Sequence, residues 1–345
     1  MSNLLECFST NATVAKIRSI HGKMFTKENY HDMLSRRSVP EVADYLAHSP
    51  RYKDCFREVD PNTIHRGFLE QLLRKNNFDS YVRLCKFQGL DKQPFYDFLI
   101  KRHEIECILS KINNINSGAD DSYLSALPGY VIKHSKVKLL ELSNAESYSG
   151  LLGLLKHTPY YKTLSRMPLL EDGTVDYTKC ELLLRQEYFQ GLWNEIKKNY
   201  SGSAKEELKK LIFGEIDALN IINAYRMKVF FGYSADEIKA HQIKYSFIGH
   251  KKLDTFYDCA DSDEMLSWLD KVYCSGKNTE FIETRIRSVR FKKLEQAIVS
   301  SQDAPVVLYA FVMLGEIEIN DIVHIIEGIR YGLDPSVIEN KLIVC

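Results

Sequence analysis

Three pairs of acidic residues, each flanking an isoleucine, are the most regular candidates for chemistry in this sequence. They are Glu104 and Glu106, Glu215 and Asp217, and Glu316 and Glu318. Two carboxylates act as general acid and base only where they converge on one substrate. Residues two apart on an α-helix point about 200° apart, so Glu316 and Glu318 do not form a catalytic dyad by themselves. We therefore expect the acids Glu215, Asp217, Glu316 and Glu318 to cap or pack helices within and between repeated units.

Other signatures of enzymatic or metal chemistry are missing from the sequence. It contains no phosphate-binding loop, no dinucleotide-binding glycine pattern, no His-Glu-x-x-His motif and no nucleophile elbow. Its eight cysteines form no Cys-x-x-Cys pair and no cluster with zinc-ligand spacing. The sequence thus predicts no catalytic residue, no cofactor, no metal site and no small-molecule substrate. An all-α enzyme with a cryptic site stays open as an alternative.

Charge and hydropathy limit the partners and the location. Lys plus Arg and Asp plus Glu each number 46, so gross basicity gives no reason to expect nucleic-acid binding. No secretory signal is visible, and the apolar run 304–314 is shorter than the roughly 18 residues that a membrane span needs. With the cysteine pattern, this predicts a reduced, cytoplasmic protein that does not span a membrane.

One local cluster departs from this even charge. Five basic residues fall within the segment 285–293, interleaved with apolar residues: Arg285, Arg287, Arg290, Lys292 and Lys293. The segment is predicted to be a basic amphipathic helix. Its basic face could be solvated, contact an acidic partner or contact anionic lipid headgroups.

The elements that must position these residues are predicted to be helices. Apolar residues near the C-terminus recur at spacings of three and four, and alternation typical of strands is hard to find. The fold class is therefore all-α, with a few short strands in an α+β fold as the alternative. Helix ends are legible where a glycine precedes an N-cap residue by two positions, namely at Gly118 and Asp120, Gly232 and Ser234, and Gly332 and Asp334. Pro335 fits the first helical position, and Glu237 completes a capping box with Ser234.

These markers also indicate an internal repeat. The acidic pairs recur after 111 and then 101 residues, and His48-Ser49-Pro50 resembles His157-Thr158-Pro159, 109 residues later. We predict three tandem helical repeats of about 110 residues, at 1–118, 119–232 and 233–345. Such units form either an open solenoid or a closed ring. A closed three-fold arrangement would surround a central opening suited to gripping a shaft.

Four stretches, 15–24, 215–222, 309–323 and 326–333, resemble a known family. It is the family of central-stalk subunits of rotary ATPases, known as the C subunit in archaeal and bacterial A/V-type enzymes and as the d subunit in eukaryotic V-ATPases. The resemblance runs along most of the chain, and its motifs are specific as a set.

The resemblance implies an all-helical funnel, or socket, with pseudo-three-fold symmetry and no active site. It implies a peripheral position on the cytoplasmic face of the proteolipid ring, with the socket receiving the D and F subunits of the shaft. Through these partners, ATP hydrolysis or synthesis would be linked to proton or sodium transport. The isolated chain is expected to be a monomer. A helical-repeat scaffold or adaptor unrelated to ATPases is the alternative.

Three basic residues follow the acidic pairs on the same predicted helices: Arg226, Lys228 and Arg330. We expect them to bridge to those acids or to partner subunits.

Overall fold

The computed structural model describes residues 2–87, 94–118, 129–273, 279 and 281–344. These residues form α-helices and short 3-10 helices without a β-strand, apart from one isolated bridge between Leu169 and Val175, which confirms the predicted all-α class. The α-helices are α1 (Ser2–His21), α2 (Lys27–Leu34), α3 (Val39–His48), α4 (Arg66–Phe87), α5 (Phe98–Ser117), α6 (Gly129–His134), α7 (Tyr148–Leu155), α8 (Tyr161–Leu164), α9 (Tyr177–Asn199), α10 (Gly202–Phe231), α11 (Ala235–Ala240), α12 (His250–Tyr257), α13 (Ser262–Val272), α14 (Ile282–Ser300), α15 (Ala304–Arg330) and α16 (Pro335–Lys341).

The chain divides into two compact units. The larger unit comprises residues 1–91, 200–240 and 245–345, and the smaller unit comprises residues 92–199 and 241–244. Three tandem repeats at 1–118, 119–232 and 233–345 are not tested by this division and stay a prediction.

Helix α15 is the central element of the larger unit. Its apolar side chains are buried around most of its circumference, which is typical of a helix enclosed by others. It packs against α14, α4 and α1. None of the helices in the described residues is long and apolar enough to span a membrane.

The chain contains three lobes of short helices, which we number in chain order. The first and the third pack against long helices within the larger unit. The first lobe, residues 24–65, buries Tyr30, Met33 and Leu46 in one apolar cluster with Ile322 and Ile325 of α15. The third lobe, residues 235–240 and 245–273, likewise buries an apolar cluster against α10. Burial of each such side chain contributes roughly 1.5–3 kcal/mol.

The helices of the smaller unit pack in a similar way. Helix α5 packs against α9 and against the 3-10 helix Leu139–Asn144, which lies in the second lobe, residues 129–176. The apolar residues of α5, including Cys107 and Ile108, are buried. In both units, therefore, a lobe of short helices lies against a long helix that carries one of the acidic pairs.

The helix ends follow the sequence prediction wherever the structure describes them. Gly118, Gly232 and Gly332 have φ angles of 64°, 66° and 65°, the left-handed conformation that glycine adopts without strain. Asp334 accepts a hydrogen bond from the Ser336 backbone N–H at 2.8 Å, and Pro335 begins α16. The Ser234 backbone N–H donates to Glu237 Oε2 at 2.8 Å, as in a capping box. The N-cap predicted at Asp120 lies outside the described residues.

Candidate functional site

Glu318 lies in a buried polar site between α15 and the first lobe. Its side chain is 3 % exposed, and that of Arg51 is 2 % exposed. The carboxylate accepts hydrogen bonds from Tyr52 Oη at 2.6 Å, from the Phe25 backbone N–H at 2.8 Å and from Arg51 Nε at 3.1 Å. Burial and the nearby Glu318 carboxylate raise the pKa of the Tyr52 hydroxyl well above its ordinary value. Glu318 thus fastens the first lobe to α15.

Asp217 forms a corresponding site between α10 and the third lobe. It accepts hydrogen bonds from Ser246 Oγ at 2.6 Å, from the Ile248 backbone N–H at 2.9 Å and from the Phe247 backbone N–H at 3.0 Å. Burial raises the pKa of the carboxyl, although the three hydrogen bonds and Lys293 act in the opposite direction. A single carboxylate therefore restrains the segment 246–248 by accepting hydrogen bonds from two consecutive backbone donors and from one hydroxyl.

Glu104 forms the third such site, within the smaller unit. It accepts hydrogen bonds from Tyr160 Oη at 2.6 Å, from Ser135 Oγ at 2.7 Å and from the Lys136 backbone N–H at 2.8 Å. Burial, followed by the charge of Glu104, raises the pKa of the Tyr160 hydroxyl. Here too the carboxylate joins a long helix, α5, to a lobe, the second.

The three sites share one arrangement that the sequence pattern indicated only in part. Matching the pairs by position aligns Glu104 with Glu215 and with Glu316. By their backbone partners in the lobes, the corresponding residues are instead Glu104, Asp217 and Glu318, although Glu215 is buried as well. The signal that could have found the partners is the His-Ser/Thr-Pro element, because Tyr52 and Tyr160 both follow its proline within two residues. We name Glu104, Asp217 and Glu318, with these partners, the carboxylate clasps.

Glu215 and Glu316 have different partners. Glu215 forms a 2.8 Å ion pair with Arg290 of the basic helix and accepts a 2.7 Å hydrogen bond from Tyr309 Oη. Glu316 accepts from Asn77 Nδ2 at 2.8 Å and pairs with Arg74 at 3.1 Å. Both acids therefore join neighbouring long helices to each other.

The three predicted basic residues do not reach the acidic pairs. Arg226 pairs with Glu283 of α14. Arg330 is exposed and lies 3.9 Å from Glu327, one turn earlier on α15. Lys228 is half-buried and has no ion pair among the described residues. Their contact with partner subunits stays a prediction, as does that of Glu215, Asp217, Glu316 and Glu318.

The basic segment 285–293 lies within α14, and its side chains are engaged in different ways. Arg290 pairs with Glu215, Arg285 pairs with Asp270, and the Lys293 ammonium lies 5.5 Å from the centre of the Tyr273 ring. The cluster is therefore largely a set of internal contacts, rather than one solvated face.

Two helix ends of the larger unit expose large apolar side chains, which we name the apolar helix ends. At the end of α10 they are Phe230, Phe231 and Tyr233, and beyond α15 they are Tyr331, Leu333 and Val337. Phe230, Phe231 and Tyr331 are each about 70 % exposed. Exposed aromatic residues concentrated at such positions are typical of surfaces that contact another protein. No group of three or more potential metal ligands occurs in the described part of the chain.

Comparisons with known proteins show which family the chain is similar to. The family model for the ATP synthase (C/AC39) subunit matches residues 13–341. The C subunit of the A-type ATP synthase of Methanosarcina barkeri is 24 % identical over 96 % of this chain and 92 % of its own length. The C subunits of the A-type ATP synthases of Methanosphaera stadtmanae and Thermococcus gammatolerans are 25 % and 24 % identical, over 77 % and 74 % of this chain and 67 % and 66 % of their own lengths.

The extent of the family match decides among the interpretations left open by the sequence. It covers nearly the whole chain, which excludes a repeat scaffold unrelated to ATPases. The family is a structural stalk subunit of the complex rather than a catalytic one. The chain belongs to the ATP synthase (C/AC39) subunit family.

Proposed function

We propose that this chain is the central-stalk socket of a V/A-type rotary ATPase. In this role it joins the D/F shaft to the proteolipid ring on the cytoplasmic side of the membrane, and so links ATP hydrolysis or synthesis to proton or sodium transport. The observation that carries the proposal is the family match over residues 13–341, because it includes all three lobes and the long helices α4, α5, α9, α10, α14 and α15.

The carboxylate clasps support the three-repeat organisation of this socket. The second and third lobes are each fastened to the long helix that precedes them in the chain, at Glu104 and Asp217. The first lobe has no preceding long helix of this kind, and it is fastened to α15, near the other end of the sequence, at Glu318. That connection is the one expected if three equivalent units follow one another cyclically.

The same clasps suit a part that transmits torque. A subunit that transmits torque must keep each lobe attached to its long helix under load. A buried carboxylate that accepts three hydrogen bonds from the lobe fixes both the position and the orientation of the lobe. Charge-assisted hydrogen bonds are roughly twice as strong as neutral ones. We infer that the clasps keep each lobe fixed while the shaft turns.

The apolar helix ends are the surfaces that we assign to partner subunits. Phe230, Phe231 and Tyr331 are too large and too exposed to contribute much to the stability of the isolated chain. Aromatic side chains of this kind commonly provide the anchors of protein interfaces. We propose that they contact the rotor components that this chain joins.

The test is purification of the tagged chain from detergent-solubilised membranes of its own organism, followed by mass spectrometry. Recovery of shaft, proteolipid and catalytic ATPase subunits together is expected. The Phe231→Ser variant should recover about tenfold less of one partner, as for loss of an interface anchor. Val299→Ser is the matched control, because both side chains are 70 % exposed and Val299 lies on another helix. Recovery of none of these subunits with the unaltered chain would overturn the proposal.

Salt dependence tests the shaft contact separately. We expect this contact to be polar and reversible, because the complex assembles from separately made parts. Salt screens exposed charges over about 3 Å at 1 M. Shaft subunits should therefore dissociate from the purified chain as salt is raised, and a shaft complex indifferent to about 1 M salt would contradict a polar contact.

A further inference from the structure

A cavity of about 390 Å³ lies among α10, α14, α15 and α16 within the larger unit. Its volume falls within the range of small-molecule sites. The side chains that the argument uses are Arg226, Glu283, Arg287, His324 and Lys341, and the exposed ring of Phe230 lines the cavity as well. None of these residues belongs to a carboxylate clasp.

The lining carries more positive than negative charge. Three cationic side chains, Arg226, Arg287 and Lys341, face one lining carboxylate, that of Glu283. Glu283 is already engaged, because it pairs with Arg226. The cavity therefore holds cations whose charge its own acid does not balance.

Two of these cations, Arg287 and Lys341, form no ion pair in the part of the chain that the structure describes. The carboxylates of Glu283 and Asp321 favour the charged guanidinium of Arg287 from a distance. Asp321 Oδ2 also accepts hydrogen bonds from the backbone N–H groups of Ile343 at 2.9 Å and Val344 at 3.1 Å. Burial lowers the pKa of Arg287, and the charges of Arg226 and Arg290 lower it further.

His324 lines the same cavity, and one of its ring nitrogens lacks a partner within the described part of the chain. Its Nδ1 is buried, and no hydrogen-bond partner for this atom lies among the described residues. Burial lowers the pKa of the imidazole, as do the charges of Arg287 and Lys341. The neutral imidazole of His324 can donate one hydrogen bond. The planar guanidinium of Arg287 can donate two parallel hydrogen bonds to two oxygens of a tetrahedral anion.

We propose that this cavity binds a phosphate group, held by Arg287, Lys341 and His324. A phosphate supplies the negative charge that the lining lacks and the acceptors that the guanidinium and imidazole need. The group comes either from a soluble phosphate compound or from the headgroup of an anionic lipid. The exposed ring of Phe230 at the cavity offers an apolar surface to the rest of either ligand. The site does not rest on the family match that carries the socket proposal, and the two proposals share only Phe230, which lies both at this cavity and at the apolar helix ends.

The two sources are separated by two binding measurements on the full-length purified chain. Isothermal titration with inorganic phosphate and with ATP tests the soluble source. Co-sedimentation with phosphatidylcholine vesicles, with and without phosphatidylglycerol, tests the lipid source. Saturable binding in either measurement supports a phosphate site and identifies its source, whereas no binding in both overturns it.

Variants locate the site. Arg287→Gln should weaken binding by about tenfold or more, as expected for loss of charge-assisted hydrogen bonds, and His324→Gln should weaken it less. Arg285→Gln is the matched control on the same helix, because Arg285 pairs with Asp270 and does not line the cavity. Thermal unfolding of each variant verifies that it is folded. Equal weakening by Arg285→Gln and Arg287→Gln would assign the binding to nonspecific basicity and overturn the site.

Discussion

Removing the Glu318 carboxylate should release the first lobe from α15. Glu318 and Arg51 are 3 % and 2 % exposed on their side chains, so Glu318→Ala leaves a guanidinium buried without its counter-ion. Breaking a buried ion pair by removing one partner costs about 3–5 kcal/mol. The loss of acceptors for Tyr52 and for the Phe25 backbone N–H acts in the same direction. At about 1.4 kcal/mol for each factor of ten, the lobe should open from about a hundred to a few thousand times more often.

Hydrogen exchange measured by mass spectrometry on peptides from the first lobe reports this opening directly. The matched control is Asp54→Ala, which breaks an ion pair with Arg57 in the same lobe, where the two side chains are 67 % and 76 % exposed. Exposed pairs of this kind contribute at most about 1 kcal/mol, so exchange should change little. If Glu318→Ala accelerates exchange of the lobe no more than Asp54→Ala does, the assignment of Glu318 as a clasp is wrong.

Three further results are expected. Gly315→Ala should destabilise the chain by about 1–3 kcal/mol in urea unfolding, because the added methyl overlaps the buried Asn77 side chain, whereas Gly191→Ala on open helix surface should stabilise it slightly. Iodoacetamide should label Cys55 of the folded chain at pH 8 far more slowly than that of the unfolded chain, because burial raises its pKa to about 12. Because the folded-state pKa of Asp217 is raised, the folded state binds its proton more readily. The stability of the unaltered chain relative to Asp217→Asn should therefore fall as pH rises above about 3.8, and a rise in urea titrations would contradict this.

Local features of the fold were accessible from the sequence because their causes are local. The positive φ of Gly232 and Gly332, the capping box at Ser234 and the start of α16 at Pro335 all depend on residues within one turn. The all-α class follows from the same short-range periodicity. These predictions require no knowledge of which helix packs against which.

The roles of the acidic residues were not accessible in the same way. Glu316 and Glu318 are two residues apart, so they face different neighbours: Glu316 reaches Asn77, and Glu318 reaches Tyr52. Both partners lie more than 230 residues away in the sequence. The repeated acids were visible, but which member of each pair fastens a lobe depends on these distant contacts.

The contact between the first lobe and α15 has a consequence for how the chain is stabilised. In a linear array each unit is supported by its neighbours, and the terminal units need special caps. Here the first lobe instead shares its apolar cluster with Ile322 and Ile325 of the last long helix, and Glu318 fastens the two together. Residues near the two ends of the sequence thus complete one packed element. Opening the Glu318 clasp should therefore loosen α15 as well as the first lobe. In an open array, by contrast, disruption at one end would leave the far end unaffected.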